Sequence, residues 1–403
     1  MKPMPSCSSA DRSDRVLAIA SELRSTLAAH AAETDTLGAF PTKSLQDIRG
    51  SGLMGLTVDR RYDGLGASFS TMSKVAQLLG EGCASTAMIW AMHCQQVATI
   101  ADHASQSLCD AVLPRIASNG LYIASVTSEQ GKGGELLTAM APLQRHGDNY
   151  LLVRDAPVVT GGAQADAFLA TMRLSQDASP SSVVLAFADR ASMDVALRSA
   201  WTSMGMRGTQ SAALSLRGQI PSDHIISHPK GFKHIVVSTM APVGHIAWAA
   251  TWTGAARGAF RRFIALLRDP RQRASFPVRS DLFAERLSQI RLQLDTMSAL
   301  LGRVTDRYDQ LRQEHGVGSP VFSAPSFNLQ INNLKLYASE TSFSVLDNLI
   351  QLAGLRHGYL TGSALGLERT FRDLRSAALM YSNDKLHVVN GKLALLDSDV
   401  SLA

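Results

Sequence analysis

The feature that most constrains this chain is a change of hydrophobic period at Leu121 and its reversal near Gly231. Before Leu121, apolar residues recur at helical spacing. Val16, Ile19, Ala20, Leu23 and Leu27 mark a helix over 11–36, with Asp11 and Ser13 as capping candidates near its start. A second helix follows Pro41-Thr42 through Leu45 and Ile48 to Gly52. A third pattern, through Met72, Val75, Leu78 and Leu79, runs over 70–97 with a Gly-Cys-Ala-Ser-Thr interruption, and a short helix over 106–120 is closed by Asn119-Gly120. From Leu121 the period shortens. LYIASVTSE, YLLVRDAPVVTGG, AFLATMRL, SSVVLAFAD and SAALSLRG are short runs rich in β-branched residues, separated by turn-forming clusters. The helical period then returns over 236–268, 278–314, 328–355 and 362–381. An α+β chain follows from this order: an N-terminal helical domain over 1–120, a central β-barrel or sandwich over 121–230, and a C-terminal four-helix bundle over 231–403.

Composition removes several function classes. A chain of 403 residues exceeds one simple core and calls for two or three packed units. The net charge of +5 is spread along the chain with no basic block, and aromatics at 6% are too sparse for a base-stacking platform, so no nucleic-acid partner is expected. Cys7, Cys83, Cys94 and Cys109 show no CxxC spacing and no zinc-type grouping with histidine. They read as reduced thiols of a cytoplasmic protein without a metal site. The opening MKPMPSCSSADRSDR is too polar for a secretory signal, and no uninterrupted apolar run is long enough to span a bilayer. The longest near-approach, Val236 to Ala256, is broken by Ser, Pro, His and Gly and reads as a buried helix.

Residues 350–386 narrow the reading. They contain Gln351, a glycine-punctuated turn through Gly354, Gly358 and Tyr359, the pair Arg372-Asp373, and then Met380-Tyr381-Ser382-Asn383-Asp384. This layout resembles the C-terminal signature of the acyl-CoA dehydrogenase family, apart from about one extra residue in the turn. Five further segments resemble that family in the same order. They are SGLMGLTVDRRYDGLGAS (with Asp63 in place of a glycine), CASTAMIWAMH, VTSEQGKGGE (with Gln130 where proline is usual), VVTGGAQAD (with Val158 at a tryptophan position) and MGMRGTQS followed by IPSDHI.

The resemblance implies FAD as cofactor, lying between the β-domain and the C-terminal helices. Ser125, Thr127 and Ser128 would face the flavin ring and Thr160 its N5 edge, because hydroxyls and amides polarise the ring without imposing charge. Arg273, in RQRASF, would grip the pyrophosphate of an adjoining subunit's FAD with its guanidinium fork, the alternative being an exposed basic turn shared with Arg271. Gln351 and Gly354 would meet the ADP portion of that cofactor, and Asn383 would be the last residue to touch it. A homo-oligomer, tetramer or dimer, follows from this sharing.

The catalytic glutamate of the resembled signature falls on Tyr381. The other position used in the family lies on the first helix after the β-domain, and no Asp or Glu occurs there between His234 and Arg268. A phenol with pKa near 10 is a poor base at neutral pH. Tyr381 therefore donates a hydrogen bond or fills space, and His93 and His245 are the further titratable candidates. His93 stands where the monooxygenase branch carries a histidine near the ring; a purely structural role is the alternative for both histidines.

Three functions remain open from sequence. The first is an FAD-dependent oxidoreductase on an acyl thioester, carried by coenzyme A or a carrier protein, with oxidation of a hydroxyacyl group in biosynthesis as one form. Loss of reducing equivalents to an electron-transfer partner belongs to that reading. The second is a reduced-flavin monooxygenase fed by a separate flavin reductase. The third is a non-catalytic descendant that kept the fold.

Overall fold

The computed structural model describes residues 9–131, 135–397 and 400; Cys7 and residues 132–134 of the glycine-rich loop lie outside the described residues. Helix α1 (Ser9–Leu37) is followed by α2 (Thr42–Gly50), α3 (Phe69–Gly82), α4 (Ala84–His103) and α5 (Gln106–Asn119). Ser13 lies inside α1 and does not cap it; its hydroxyl sits 3.4 Å from that of Thr71 and ties α1 to α3. The side chain of Asp11 is outside the described residues. Ser68 and Ser105 cap α3 and α5, accepting from the backbone N–H groups of Thr71 and Leu108 at 3.1 and 3.2 Å. Asp63, which stands where the resembled segment has a glycine, takes the left-handed conformation that glycine would favour, at φ 62°.

The strands are β1 (Ile123–Val126), β2 (Gln144–His146), β3 (Asn149–Ala156), β4 (Ala167–Arg173), β5 (Val183–Asp189), β6 (Met193–Ser199), β7 (Ala213–Pro221) and β8 (Ile225–Ile226). Five of them are the five apolar runs of the sequence. The other three were hidden: β2 is polar and fully exposed, β6 is mostly exposed, and β8 has two residues. They form two four-stranded sheets, ordered β1-β4-β5-β8 and β2-β3-β7-β6, an open sandwich with no closed barrel. Phe168, Ala170, Val184 and Ala186 of the first sheet share a core with Leu152, Leu214 and Leu216 of the second. The alternate residues, Leu169, Leu185 and Phe187, pack instead with Leu108, Val112 and Ile116 of α5. Burial on both faces explains why β4 and β5 read as unbroken apolar runs.

Helix α6 (Phe232–Ile235) passes through a π-helical turn, Val236–Met240, into α7 (Ala241–Arg268); α8 (Pro270–Arg273), α9 (Asp281–His315) and α10 (Pro325–Gly354) follow. Helix α7 is the axis of the helical part and packs against α3, α4, α9 and α10. A Cβ at Gly254 would stand 2.1 Å from the carbonyl oxygen of Gln77, so α7 and α3 approach backbone to backbone. Beside this contact the buried carboxylate of Glu81 takes Arg24, Arg257 and Arg261 at 3.2, 2.7 and 3.0 Å, joining α1, α3 and α7.

The last expected helix differs. The helix expected over 362–381 is shorter, α11 (Leu367–Arg375); a run of turns follows it, and a further helix, α12 (Asn383–Ala394), lies beyond the expected end. Apolar spacing alone gave no sign of the break. Its physical cause is tertiary: a buried lysine from α10 takes up the carbonyls of Ala377 and Tyr381, and Tyr381 sits at φ 48°, outside the right-handed helical region. Arg372 and Asp373 dock α11. Arg372 pairs with Asp35 of α1 and donates to the carbonyl of Met204 at 2.9 Å, while Asp373 accepts from the Met206 N–H at 2.5 Å. Among the described residues no helix is long and apolar enough to cross a membrane, and no three His, Cys, Asp or Glu side chains are grouped to hold a metal ion.

Candidate active site

Where the sandwich meets α4, α7 and the α11–α12 break, a cavity of about 480 Å³ opens. The β-domain contributes Ser125, Thr127, Ser128 and Thr160; the helices contribute Met88, Met92, Gln95, Met240 and Trp248; Met380 and Tyr381 close it from the break. Among the described residues no Asp, Glu, Lys, Arg or His lines it. The lining hydroxyls are linked. Thr160 and Ser211 lie 3.0 Å apart, Ser211 and Thr209 2.8 Å apart, and Thr209 donates to the Met206 carbonyl at 2.8 Å. Thr209 and Ser211 were not singled out from sequence, although both lie in the MGMRGTQS segment.

The loop that carries Thr127 and Ser128 is anchored from beneath. Ser128 Oγ donates to the Val158 carbonyl at 2.7 Å and accepts from the Val158 N–H at 3.2 Å, joining the β1 exit to the β3 exit. Glu129 forms a buried ion pair with Arg154 and accepts from the backbone N–H groups of Met140 and Ala141 at 2.9 and 2.8 Å. Arg154 also donates to the Ser128 carbonyl at 2.9 Å. Burial pulls the Arg154 guanidinium down, opposed by the charge of Glu129.

A second cavity, of about 460 Å³, lies on the other side of Tyr381, which lines both together with Leu379. Its walls are the start of α7 with His245, the start of α10 with Asn328 and Asn332, α12 with Leu386 and Val389, and Glu135 with Lys233. The imidazole of His245 stands 5.8 Å from the Tyr381 ring, centroid to centroid. His245 is buried and its Nδ1 has no hydrogen-bond partner. Burial, and then the Lys335 charge, hold its pKa down at about 3, so the ring is neutral. Burial, with Glu135 adding repulsion, raises the Tyr381 phenol above its ordinary value. Glu135 was not singled out in the sequence, although it closes the VTSEQGKGGE segment.

The remaining candidates fall elsewhere. His93 lines neither cavity. Its Nε2 faces the Met54 carbonyl at 3.0 Å and its Nδ1 accepts from the Ile123 N–H at 3.2 Å, which engages both ring nitrogens; burial lowers its pKa to about 4. Asn383 is buried and bonded within the chain, to Lys335 at 2.6 Å, Ser339 at 3.0 Å and Glu340 at 2.9 Å. Gln351 is exposed and donates to Asp347 at 2.9 Å. Gly354 takes φ 68°, and a Cβ there would meet nothing within 4 Å. Arg273, on α8, is exposed. The rings of Phe276 and His357 lie 5.6 Å apart and tilted, which links the chain just after Arg273 to the chain just after Gly354; Arg273, Gln351 and Gly354 line neither cavity.

The cavity is uncharged, edged by hydroxyls, and lies between an open sandwich and a helical bundle; the class of protein follows from the sequence relationships. The profile of the acyl-CoA dehydrogenase N-terminal domain matches residues 17–120 and that of the acyl-CoA dehydrogenase C-terminal domain residues 230–381, so the chain belongs to the acyl-CoA dehydrogenase family. It is 21% identical over 376 residues to cyclohex-1-ene-1-carbonyl-CoA dehydrogenase of Syntrophus aciditrophicus, across 92% of this chain and 87% of that protein. Among solved structures, FMN-bound TdsC of Paenibacillus sp. A11-2 superposes with a TM-score of 0.84 at 20% identity, covering 96% of this chain and 98% of that one. Butyryl-CoA dehydrogenase of Megasphaera elsdenii superposes at 0.83 with 17% identity and the same coverage. The fold is therefore the acyl-CoA dehydrogenase fold, and flavin is its cofactor.

Proposed function

We propose that this protein uses FAD to oxidise an acyl group held as a thioester, at a carbon that already bears oxygen, in place of α,β-desaturation. One observation carries the reading: the cavity that the hydroxyls of Ser125, Thr127 and Thr160 edge is lined by no carboxylate among the described residues, and a neutral phenol, Tyr381, closes it. Desaturation removes a proton from carbon and needs a strong, well-placed base. Oxidation of a hydroxyl removes its proton from oxygen, which a neutral imidazole accepts while a neutral phenol serves only to orient that oxygen by a hydrogen bond.

FAD supplies the hydride acceptor. The chain does the rest. The hydroxyls of Ser125, Thr127 and Thr160 offer hydrogen bonds to the ring without charge, and the Glu129–Arg154 pair anchors the loop that carries Thr127 and Ser128. Tyr381 presents its hydroxyl between the cavities and orients the substrate oxygen. The unpaired Nδ1 of His245 receives the proton beside it. The second cavity takes the thioester arm, with Asn328 and Asn332 as amide partners and Lys233 for a phosphate at the mouth. Arg273, Gln351 and Gly354, which line neither cavity and are exposed or unobstructed, suit contact with the cofactor of a second copy, so a homo-oligomer is part of the reading.

The test is the absorbance spectrum of the purified protein with added FAD, followed by anaerobic mixing with saturated, hydroxylated and aldehydic acyl thioesters of coenzyme A and of a carrier protein. Bleaching by the hydroxylated or aldehydic donors and not by the saturated ones is the expected result. Bleaching by saturated donors alone overturns it. A reduced-flavin monooxygenase is the second reading, favoured by the thioether and indole lining of the first cavity, where Met88, Met92, Met240 and Trp248 would shield a reactive oxygen species from water. That reading gains if only reduced flavin binds and oxygen is then consumed.

A further inference from the structure

The α11–α12 break owes its shape to one residue that no motif marks. Lys335 lies in the middle of α10, is fully buried, and its ammonium lies 5.7 Å from the centre of the Trp252 ring. Nζ donates to the Ala377 carbonyl at 3.2 Å, to the Tyr381 carbonyl at 3.2 Å and to Asn383 Oδ1 at 2.6 Å. No backbone N–H among the described residues reaches either carbonyl. Three donors therefore meet three acceptors that bracket Tyr381, and a buried ammonium is tolerated because all its protons are engaged. Asn383 extends the clamp to Ser339 and Glu340 of α10.

We propose that Lys335 is a positioning residue that clamps residues 377–383 onto α10 and thereby fixes Tyr381, in its left-handed conformation, as the partition between the two cavities. The inference deepens the reading of Tyr381 given above and rests on it for its catalytic consequence, though not for the clamp itself. The other backbone ties of the break are short turns within it and to its ends: the N–H groups of Leu379 and Met380 reach the Ser376 carbonyl at 2.9 and 3.0 Å, that of Ala377 reaches Leu374 at 3.1 Å, that of Asn383 reaches Ala378 at 3.0 Å and that of Leu386 reaches Ser382 at 3.2 Å. Removing the ammonium leaves these short turns to hold a conformation that a tyrosine otherwise avoids.

The test measures hydrogen–deuterium exchange across the full chain without added flavin, for the wild type, Lys335→Met and Lys335→Gln. Exchange over 376–383 is expected to quicken on the order of tenfold in Lys335→Met, with the amides of β4 and β5 unchanged. The glutamine variant, which keeps two donors without charge, is expected to fall between and covers the case in which the methionine variant does not fold. Unchanged exchange over 376–383, or equal loosening everywhere, overturns the proposal. A second readout separates positioning from bulk packing. The visible circular dichroism of added FAD is compared for Lys335→Met, Tyr381→Ala and the pair. If the lysine acts through Tyr381, the pair matches Tyr381→Ala; additive changes refute it. Neither readout needs a substrate, so a failure of the thioester reading is told apart from a failure of the clamp.

Discussion

The rings of Tyr381 and His245 lie 5.8 Å apart, centroid to centroid and tilted by 54°, one from the break after α11 and the other from α7, with a cavity on each side of the tyrosine. Two residues 136 positions apart form the titratable pair nearest the place where the family's base would stand. Placing a carboxylate at Tyr381 tests the proposed reading. Tyr381→Glu is expected to let the protein exchange the α-protons of a saturated acyl thioester with deuterated solvent, roughly a hundredfold faster than the wild type, as followed by NMR. The wild type is expected to leave those protons in place. Equal exchange in both proteins would mean that another base reaches the α-carbon.

The unpaired Nδ1 of His245 gives a second expectation. His245→Phe keeps the volume of the ring and removes the acceptor. Oxidation of hydroxylated donors is expected to slow by about a hundredfold in kcat with little change in KM, because the lost interaction is made as the proton moves. A change confined to KM would make His245 a binding residue only.

Burial makes the fold sensitive to acid. His93 and His245 are held near pKa values of about 4 and about 3, and His103 at about 4, all by burial in first place. Their folded values lie below the ordinary histidine value. The unfolded chain thus binds more protons from about pH 6.5 down to about 4 for His93 and His103 and about 3 for His245, and the stability these neutral rings contribute is complete above 6.5 and lost as pH falls through that window. Asp373 runs the other way. Burial raises it to about 7, so its share is full at low pH and is lost as pH rises through 7. Three histidines outweigh one aspartic acid, and the melting temperature is expected to fall on acidification below 6.5. Asp373→Asn, which removes the opposing group, is expected to steepen that fall; an unchanged slope would show that Asp373 titrates alike in both states.

Much of this arrangement was legible in the sequence. Helix, sheet and helix follow from the period changes at Leu121 and Gly231, and Ser125, Thr127, Ser128 and Thr160 converge on one cavity as their segments implied. What was not legible depends on long-range contact. Lys335 looks like any polar residue on a helix, yet its partners lie 42, 46 and 48 positions away. The break at Tyr381 left no glycine or proline to announce it, since a tertiary clamp imposes a conformation that local propensity resists. Glu81 reads as one charge in an apolar helix; only the fold brings three arginines to it. His93 looked chemical because of its neighbours in sequence, while in space it joins Met54 to Ile123.

The approach of α3 and α7 supplies the last expectation. Helix α7 carries His245 and follows directly from Met240, on the stretch that walls both cavities, so its position sets their width. Gly254 lets it lie against α3: a methyl group there would sit 2.1 Å from the Gln77 carbonyl oxygen and 2.7 Å from the Gln77 Cα, both backbone atoms that cannot swing aside. Gly254→Ala would gain helix propensity of about 1 kcal/mol in an isolated helix. Here the clash wins, because overpacking costs about 1–3 kcal/mol, the contact at Gly254 is with backbone atoms that cannot yield, and the helices must separate to relieve it. The variant is expected to melt several degrees lower, and to bind flavin less tightly as the walls shift. Gly302, on the exposed side of α9 where an added Cβ would meet nothing within 4 Å, provides the control, since alanine there gains propensity without a clash. A Gly254→Ala protein as stable as the Gly302→Ala one would show that α3 and α7 are not held backbone to backbone.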